Sequence, residues 1–387
     1  MKLVKTMMIS ASLLASLSYA ETKVNLEPIA KTINAESLAA ALNDIKYWGV
    51  MRYKGENYEN ATQKEQYNDV DYSLFLRSNF GENLDWGLAI GSRSESQAND
   101  KDFSTDRNKN VKMNIDMLQF HATYTHEAFK VQAGQMTLRT PLTDNSPINP
   151  ETGVGAIGSY TTDNLKISVG YFQDLEFAQY YHKNPAPLTQ LSVGSVYTLG
   201  AVLNYDAFKF QGWAIRTEGV YDALLFAEAG VKYPNYAVKF QGINSTLHDD
   251  FGGETGTSFY GEAKAKYENI SGRVGFMVND EEQGWNSLNG KDSSGLIEVG
   301  GEMKSSLDNV ADSNSVFGDI GVKMGKFDAR VGYASASIGS DDLTEYYGHI
   351  GFSPKSKVWT KIYVSDIDSD NDAHDIQLIR FQAMYKF

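Results

Sequence analysis

Apolar and polar residues alternate along most of the chain from residue 44 onward. The alternation comes in short segments separated by turn residues, and it is clearest at 70–80, 84–93, 259–267 and 379–387. Alternation with a period of two predicts β-strands with one apolar face and one polar face. The pattern therefore indicates an all-β chain in which many strands follow one another.

The connections between these segments alternate between short and long. The short ones are at 80–83, 126–128, 162–164, 205–207, 233–235, 268–269, 325–326 and 353–355, whereas most of the long ones are rich in Asp, Asn, Ser and Gly. Short periplasmic turns and long extracellular loops are typical of transmembrane antiparallel β-barrels. Eight hairpins with one more strand at each end predict 18 strands, with 16 as the next best number. The strand-like stretch Gly295–Ser305 is placed inside the long loop 281–313.

A soluble β-sandwich would show the same alternation. Besides the alternation of short and long connections, two features favour a membrane barrel. The polar face carries charges along its length, and aromatic residues stand near the segment ends, where interface girdles form. The aromatic residues are Phe208, Tyr233, Tyr236, Tyr267 and Phe327. A barrel of about 18 strands is wide enough for an aqueous channel.

The first twenty residues form a separate element. Lys2 and Lys5 precede the short apolar stretch 7–17, and small residues close it at Ser18 and Ala20. This pattern predicts a secretory signal peptide over 1–20, since a membrane helix needs about 20 apolar residues. We expect 21–43 to be a periplasmic lead-in with a short amphipathic helix, and 44–387 to be the barrel.

Composition narrows the function further. The chain has 387 residues, no cysteine and a net charge of -14. The lack of cysteine excludes disulfides and thiolate metal sites. An acidic chain is poorly suited to neutralising phosphates, so no nucleic-acid partner is expected.

The parity of each predicted strand assigns a set of charges to the lumen. The bases are Lys46, Arg52, Arg77, Arg93, Lys209, Lys239, Lys264, Arg273, Arg330, Lys361 and Arg380, and the acids are Asp71, Asp85, Glu228, Glu262, Asp319 and Asp328. Such a wall would orient water and bias ions. The alternative for any single residue is a solvated charge that only pairs with its neighbours, and Arg77 with Asp85 and Glu262 with Arg273 are expected pairs.

Two sequence features resemble a known family. Phe387 ends the last alternating segment as a terminal aromatic residue, in the manner of the assembly signal of bacterial outer-membrane barrels. Gly134-Gln135 followed by the stretch 139–144 (RTPLTD) resembles a motif of the outer-membrane porin (Opr) family, in particular the Campylobacter-type major outer membrane protein and more distantly the OprD-type channels.

The resemblance implies an 18-stranded, homotrimeric porin of a Gram-negative outer membrane. It also implies that the third loop folds toward the pore. The constriction residues would be Thr140, Pro141, Thr143, Asp144 and Asn145. The following stretch 145–150 does not show the basic substrate-binding pattern of the amino-acid-selective members.

Four carboxylates are spaced two residues apart near the C-terminus, at Asp366, Asp368, Asp370 and Asp372. They match the first positions of a calcium loop, but Asn371 and Gln377 stand where an EF-hand needs Gly and Glu. A looser surface Ca²⁺ site is the alternative to a plain acidic loop, and no cofactor is required.

The sequence predicts a porin for passive diffusion of ions and small hydrophilic solutes, weakly cation-selective because acidic loops surround its mouth. The alternatives are a substrate-selective channel and a surface adhesin or structural barrel. No catalytic residue is identified, so an enzyme is not expected. The expected partners are outer-membrane lipid, lipopolysaccharide, solutes, ions and further copies of the chain.

Overall fold

The structure is a computed structural model. It describes residues 43–60, 64–80, 82–91, 116–143, 145–147, 150, 152–176, 194–249, 253–280, 295–301, 303, 310–370 and 375–387. The predicted signal peptide and almost all of the predicted lead-in lie outside these residues. Among the described residues, no helix is long and apolar enough to cross a membrane.

Within the described residues, eighteen antiparallel strands follow one another around a closed barrel. The strands are β1 (Lys46–Asn60), β2 (Lys64–Asn79), β3 (Leu84–Gly91), β4 (Asp116–His126), β5 (Phe129–Thr137), β6 (Thr152–Thr161), β7 (Leu165–Glu176), β8 (Val196–Tyr205), β9 (Phe208–Thr217), β10 (Tyr221–Lys232), β11 (Tyr236–Leu247), β12 (Thr255–Tyr267), β13 (Ile270–Asn279), β14 (Ser313–Met324), β15 (Phe327–Ile338), β16 (Asp341–Lys355), β17 (Val358–Ser369) and β18 (Ile376–Lys386). Each strand pairs with its neighbours in sequence, and β1 pairs with β18. The prediction of an 18-stranded barrel is confirmed.

Seven of the eight short turns lie where the alternation predicts them. The predicted position of the eighth turn, 353–355, is wrong by a few residues. Strand β16 continues through Pro354 to Lys355, and the turn lies at 356–357. The pairing of β16 with β17 is irregular between Phe352 and Lys355. An irregular pairing tolerates a proline, which has no backbone N–H to donate to the ladder.

The outer face of the barrel is apolar. Val274 on β13 is 61% exposed, and the same face of β14 presents Val316 and Ile320. The aromatic residues near the short turns are also exposed on this side, including Tyr267 and Phe327. An exposed apolar band with aromatic residues at its edge suits a lipid bilayer, so the barrel spans a membrane.

The inner face differs from the uniformly polar wall that the sequence suggests. At the long-loop ends of the strands it carries a buried apolar cluster, which includes Phe172, Phe226, Ile243 and Phe317. Side chains from two long loops join this cluster from inside the barrel, namely Leu138, Leu142, Leu296, Ile297, Val299 and Met303. The wall there is apolar because loop residues cover it, and the ion pairs of β9–β15 lie closer to the short turns.

The barrel closes between the first and the last strand. Gly49 and Phe387 exchange two backbone hydrogen bonds of 3.1 Å. A Cβ atom on Gly49 would lie 2.2 Å from the Phe387 ring, so only glycine allows the ring to lie across β1.

Candidate functional site

The loop between β5 and β6 folds onto the inner wall. Thr140 and Thr143 close a tight turn in which the Thr140 N–H donates to Thr143 Oγ1 over 2.9 Å. The Thr143 hydroxyl donates in turn to the carbonyl of Leu138 over 2.6 Å. Leu138 and Leu142 belong to the apolar cluster inside the barrel, so this loop occupies lumen space.

A second segment, 295–303, enters the lumen from the loop between β13 and β14. Gln241 on β11 holds its first residues, because its side-chain amide donates to the carbonyl of Gly295 over 2.7 Å and accepts from the N–H of Ile297 over 2.9 Å. The N–H of Gly295 donates to the carbonyl of Pro141 over 3.0 Å. The two in-folded loops therefore meet inside the barrel.

The other end of this segment lies between an arginine and a carboxylate. Arg273 on β13 donates to the carbonyl of Glu298 over 3.0 Å and to that of Gly300 over 3.5 Å. Glu345 on β16 accepts from the N–H groups of Gly301 and Met303 over 2.9 and 3.1 Å. The described part of the strand-like stretch Gly295–Ser305 thus forms turns within the long loop, as predicted, and not a barrel strand.

Ion pairs link the inward faces of neighbouring strands. Most predicted lumen charges take part in them: Arg52 with Asp71 (2.7 Å), Arg77 with Asp85 (2.8 Å), Lys209 and Lys239 with Glu228 (2.9 and 4.0 Å), Lys264 and Arg273 with Glu262 (2.9 and 3.6 Å), Arg273 with Asp319 (2.7 Å) and Arg330 with Asp319. These ion pairs lie on β1–β3 and β9–β15. The inward positions of β5 include Lys130 and Gln132, and those of β7 include Lys166 and Ser168.

The other predicted lumen charges among the described residues have different neighbours. Arg380 pairs with Glu56, an acid that the sequence-based set does not contain. Lys361 lies over the rings of Trp359 and Tyr363, with its Nζ atom 6.0 and 5.3 Å from their centroids. Lys46 faces Arg77 in the register of β1 and β2. Asp328 contacts His349 Nε2 over 3.0 Å.

A cavity of about 600 Å³ lies next to segment 295–303. Its lining includes Lys232, Lys264, Lys266, Arg273, Arg330, His349, Lys361 and Arg380, together with Tyr233, Tyr236, Tyr347 and Tyr363. Glu298 is the one acidic residue among the described residues that line it. The cavity is therefore basic and partly aromatic.

Some predicted residues are not brought to this site. Arg93, Asp144 and Asp372 lie outside the described residues. Asp366 and Asp368 are exposed on β17 and Asp370 follows it. The described residues hold no group of three His, Asp or Glu side chains placed to bind a metal. The calcium site stays a prediction.

The sequence pattern does not predict the roles of Gln241 and Glu345 or the anchoring of segment 295–303. A signal for them exists in β10, where Leu224 and Phe226 are apolar at inward positions while Leu225 and Ala227 are apolar at outward ones. A strand that is apolar on both faces near its long-loop end needs a cover inside the barrel. An in-folded loop supplies that cover.

The closed barrel, its apolar outer band and its in-folded loops define a porin-type fold. No family model matches the chain, and no curated protein matches its sequence. Among solved structures, Pseudomonas aeruginosa OccK8 (OprE) is similar with a TM-score of 0.71 at 12% identity, over 89% of this chain and 98% of that chain. P. aeruginosa OpdK with vanillate is similar with a TM-score of 0.70 at 16% identity, over 89% and 99%.

Acinetobacter baumannii OccAB4 is similar with a TM-score of 0.71 at 12% identity, over 89% of this chain and 98% of that chain. At these identities the likeness shows the fold. The narrower resemblance to the Campylobacter-type protein stays a prediction.

Proposed function

We propose that the chain forms a channel of the Gram-negative outer membrane through which small hydrophilic solutes diffuse, with a preference for solutes that carry a carboxylate. The basic cavity beside the in-folded loops carries the proposal. Carboxylates are bound by Arg and Lys donors, and Arg matches their two oxygens. P. aeruginosa OpdK, which shares the fold, has been solved with vanillate.

The ion pairs reduce the positive charge that the cavity offers to a carboxylate. They therefore support the alternative of a general porin with weak cation selectivity. Asp319 and Glu262 neutralise part of the charge of Arg273, Arg330 and Lys264. The acidic loops would attract cations at the mouth, but exposed charges act over only about 8 Å at physiological salt. Charges beside a narrow passage are less screened, so the basic cavity favours the anion-preferring channel.

Reversal potentials in planar bilayers, measured under a KCl gradient at low salt, separate the two alternatives. The proposal expects anion preference, and it expects Lys361→Gln to reduce that preference. Lys326→Gln removes the same charge from a short turn and serves as the matched control. Benzoate added to the bath should lower the chloride current through the wild-type channel. Cation preference that is unchanged in Lys361→Gln would support the general porin instead.

The outer face suggests the remaining partners. Its apolar band would contact outer-membrane lipid and lipopolysaccharide. The homotrimer implied by the sequence resemblance stays a prediction, and the mass of the detergent-solubilised protein measured by light scattering tests it.

A further inference from the structure

We infer that Glu345 is the positioning residue that holds segment 295–303 across the lumen and thereby sets the size of the opening. The inference rests on the channel proposed above, but it does not depend on which ions that channel prefers. Glu345 makes no contact with solute in this scheme. It acts through the main chain of the loop.

The burial of Glu345 is the first observation. The residue is 0% exposed, although it lies on the wall of a channel. A buried carboxylate is costly unless donors replace the water that it loses. The Ser365 hydroxyl donates to Oε1 over 2.6 Å, and the N–H groups of Gly301 and Met303 both donate to Oε2. Two of these donors would leave with the loop, so the carboxylate favours the in-folded position.

The shape of the loop is the second observation. Gly300 has a φ angle of 61°, in the left-handed region that favours glycine. A Cβ atom on Gly300 would lie 2.4 Å from Glu345 Oε2, and one on Gly301 would lie 2.9 Å from Oε1. Two consecutive glycines thus bring the loop backbone against this carboxylate at a distance that a side chain would prevent.

The other anchors cannot replace this contact. Gln241 holds Gly295 and Ile297, at the opposite end of the segment. Arg273 binds carbonyl groups, and its guanidinium also pairs with Asp319, a partner that would remain if the loop moved away. Glu345 is the anchor that accepts from the loop N–H groups at 301 and 303.

The test uses a single cysteine as a position reporter, since the native chain has none. Val299 is 1% exposed, so the thiol in Val299→Cys should react slowly with a membrane-impermeant maleimide. Adding Glu345→Ala should raise the labelling rate about tenfold or more, because charge-assisted hydrogen bonds are lost. The single-channel conductance should rise in parallel. Glu345→Gln keeps an oxygen acceptor, and we expect it to stay within about twofold of the parent in both readouts.

Three further variants make the test independent of Glu345 itself. Gly300→Ala should displace the loop because its methyl group meets the carboxylate. Gly325→Ala is the matched control, since Gly325 has a φ angle of 60° but no atom within 4 Å of the point where a Cβ would lie. Asp71→Asn removes another buried lumen carboxylate that pairs with Arg52, and it should leave the labelling of Val299→Cys unchanged.

Parent-like labelling and conductance in both Glu345→Ala and Gly300→Ala would overturn the inference. If Glu345→Ala fails to fold, the labelling of Val299→Cys in Gly300→Ala is compared with its labelling in Gly325→Ala. Equal labelling rates in these two variants would overturn the inference. The labelling readout also separates this inference from the proposed anion preference, because a cation-selective channel can have its opening set by Glu345.

Discussion

Arg273 and Asp319 face each other across β13 and β14, and Arg273 Nε donates to Asp319 Oδ2 over 2.7 Å. Arg330 pairs with the other oxygen of Asp319, and the Tyr347 hydroxyl donates to Oδ2 over 3.0 Å. One carboxylate thus offsets two guanidinium groups beside the basic cavity.

Replacing Asp319 with Asn should remove the carboxylate partner of Arg330 and leave Arg273 with only Glu262, 3.6 Å away. Removing one partner of a buried ion pair typically costs about 3–5 kcal/mol, and an isosteric amide should reach the lower end. The reversal potential should also shift toward anion preference. Urea unfolding in lipid vesicles and bilayer recordings measure the two effects. Asp163→Asn, in the exposed turn between β6 and β7, makes the same charge change outside the lumen and should alter neither result.

Gly134 on β5 should not tolerate alanine. Its φ angle is 126°, and an added Cβ would lie 2.4 Å from the carbonyl oxygen of Phe120. The backbone conformation alone costs about 1–3 kcal/mol for a residue with a side chain. Gly158 on β6 has no atom within 4 Å of its Cβ position, so Gly158→Ala is the control. Equal unfolding midpoints for the two variants would show that strand β5 accepts the methyl group.

Val274 should reject charge. It is 61% exposed on the apolar outer face, and an arginine near the bilayer midplane costs roughly 2–4 kcal/mol. Val274→Arg should therefore fold into lipid vesicles less completely than Val274→Ala. If the two variants assemble equally well, this position of β13 does not face hydrocarbon.

Deletion of residues 143–150 should raise the single-channel conductance. The deletion removes Thr143, whose hydroxyl holds the turn at Leu138, and it shortens a loop that packs inside the barrel. A variant in which the same stretch is replaced by Gly and Ser residues keeps the chain length and separates the loss of packing from the loss of volume. Unchanged conductance in the deletion variant would mean that this loop does not limit the current.

The strands can be predicted from the sequence because each one carries its own alternation and its own turn. The count of 18 follows from eight local hairpins and needs no long-range information. The one misplaced turn, at 356–357, has a local cause, since Pro354 suggests a turn but lies in an irregular pairing. Cross-strand pairs such as Arg77 with Asp85 also follow from parity, because inward positions on adjacent strands meet.

The in-folded loops can be predicted only in part. The family resemblance identifies Thr140 and Pro141, but nothing local marks Glu345 as a partner of Gly301 and Met303, which are more than 40 residues away. Such contacts depend on the path of a long loop through space. Apolar inward residues such as Phe226 indicate that a cover exists without indicating which loop supplies it.

The hydrogen bonds that the wall makes to segment 295–303 go to its main chain. The groups involved are the carbonyls of Gly295, Glu298 and Gly300 and the N–H groups of Ile297, Gly301 and Met303. Main-chain groups are the same in every residue, so the exposed side chain of Glu298 can change without loss of these bonds. Descendants of this gene can therefore acquire a different charge at the cavity by one codon change at position 298, while the path of the loop is inherited unaltered.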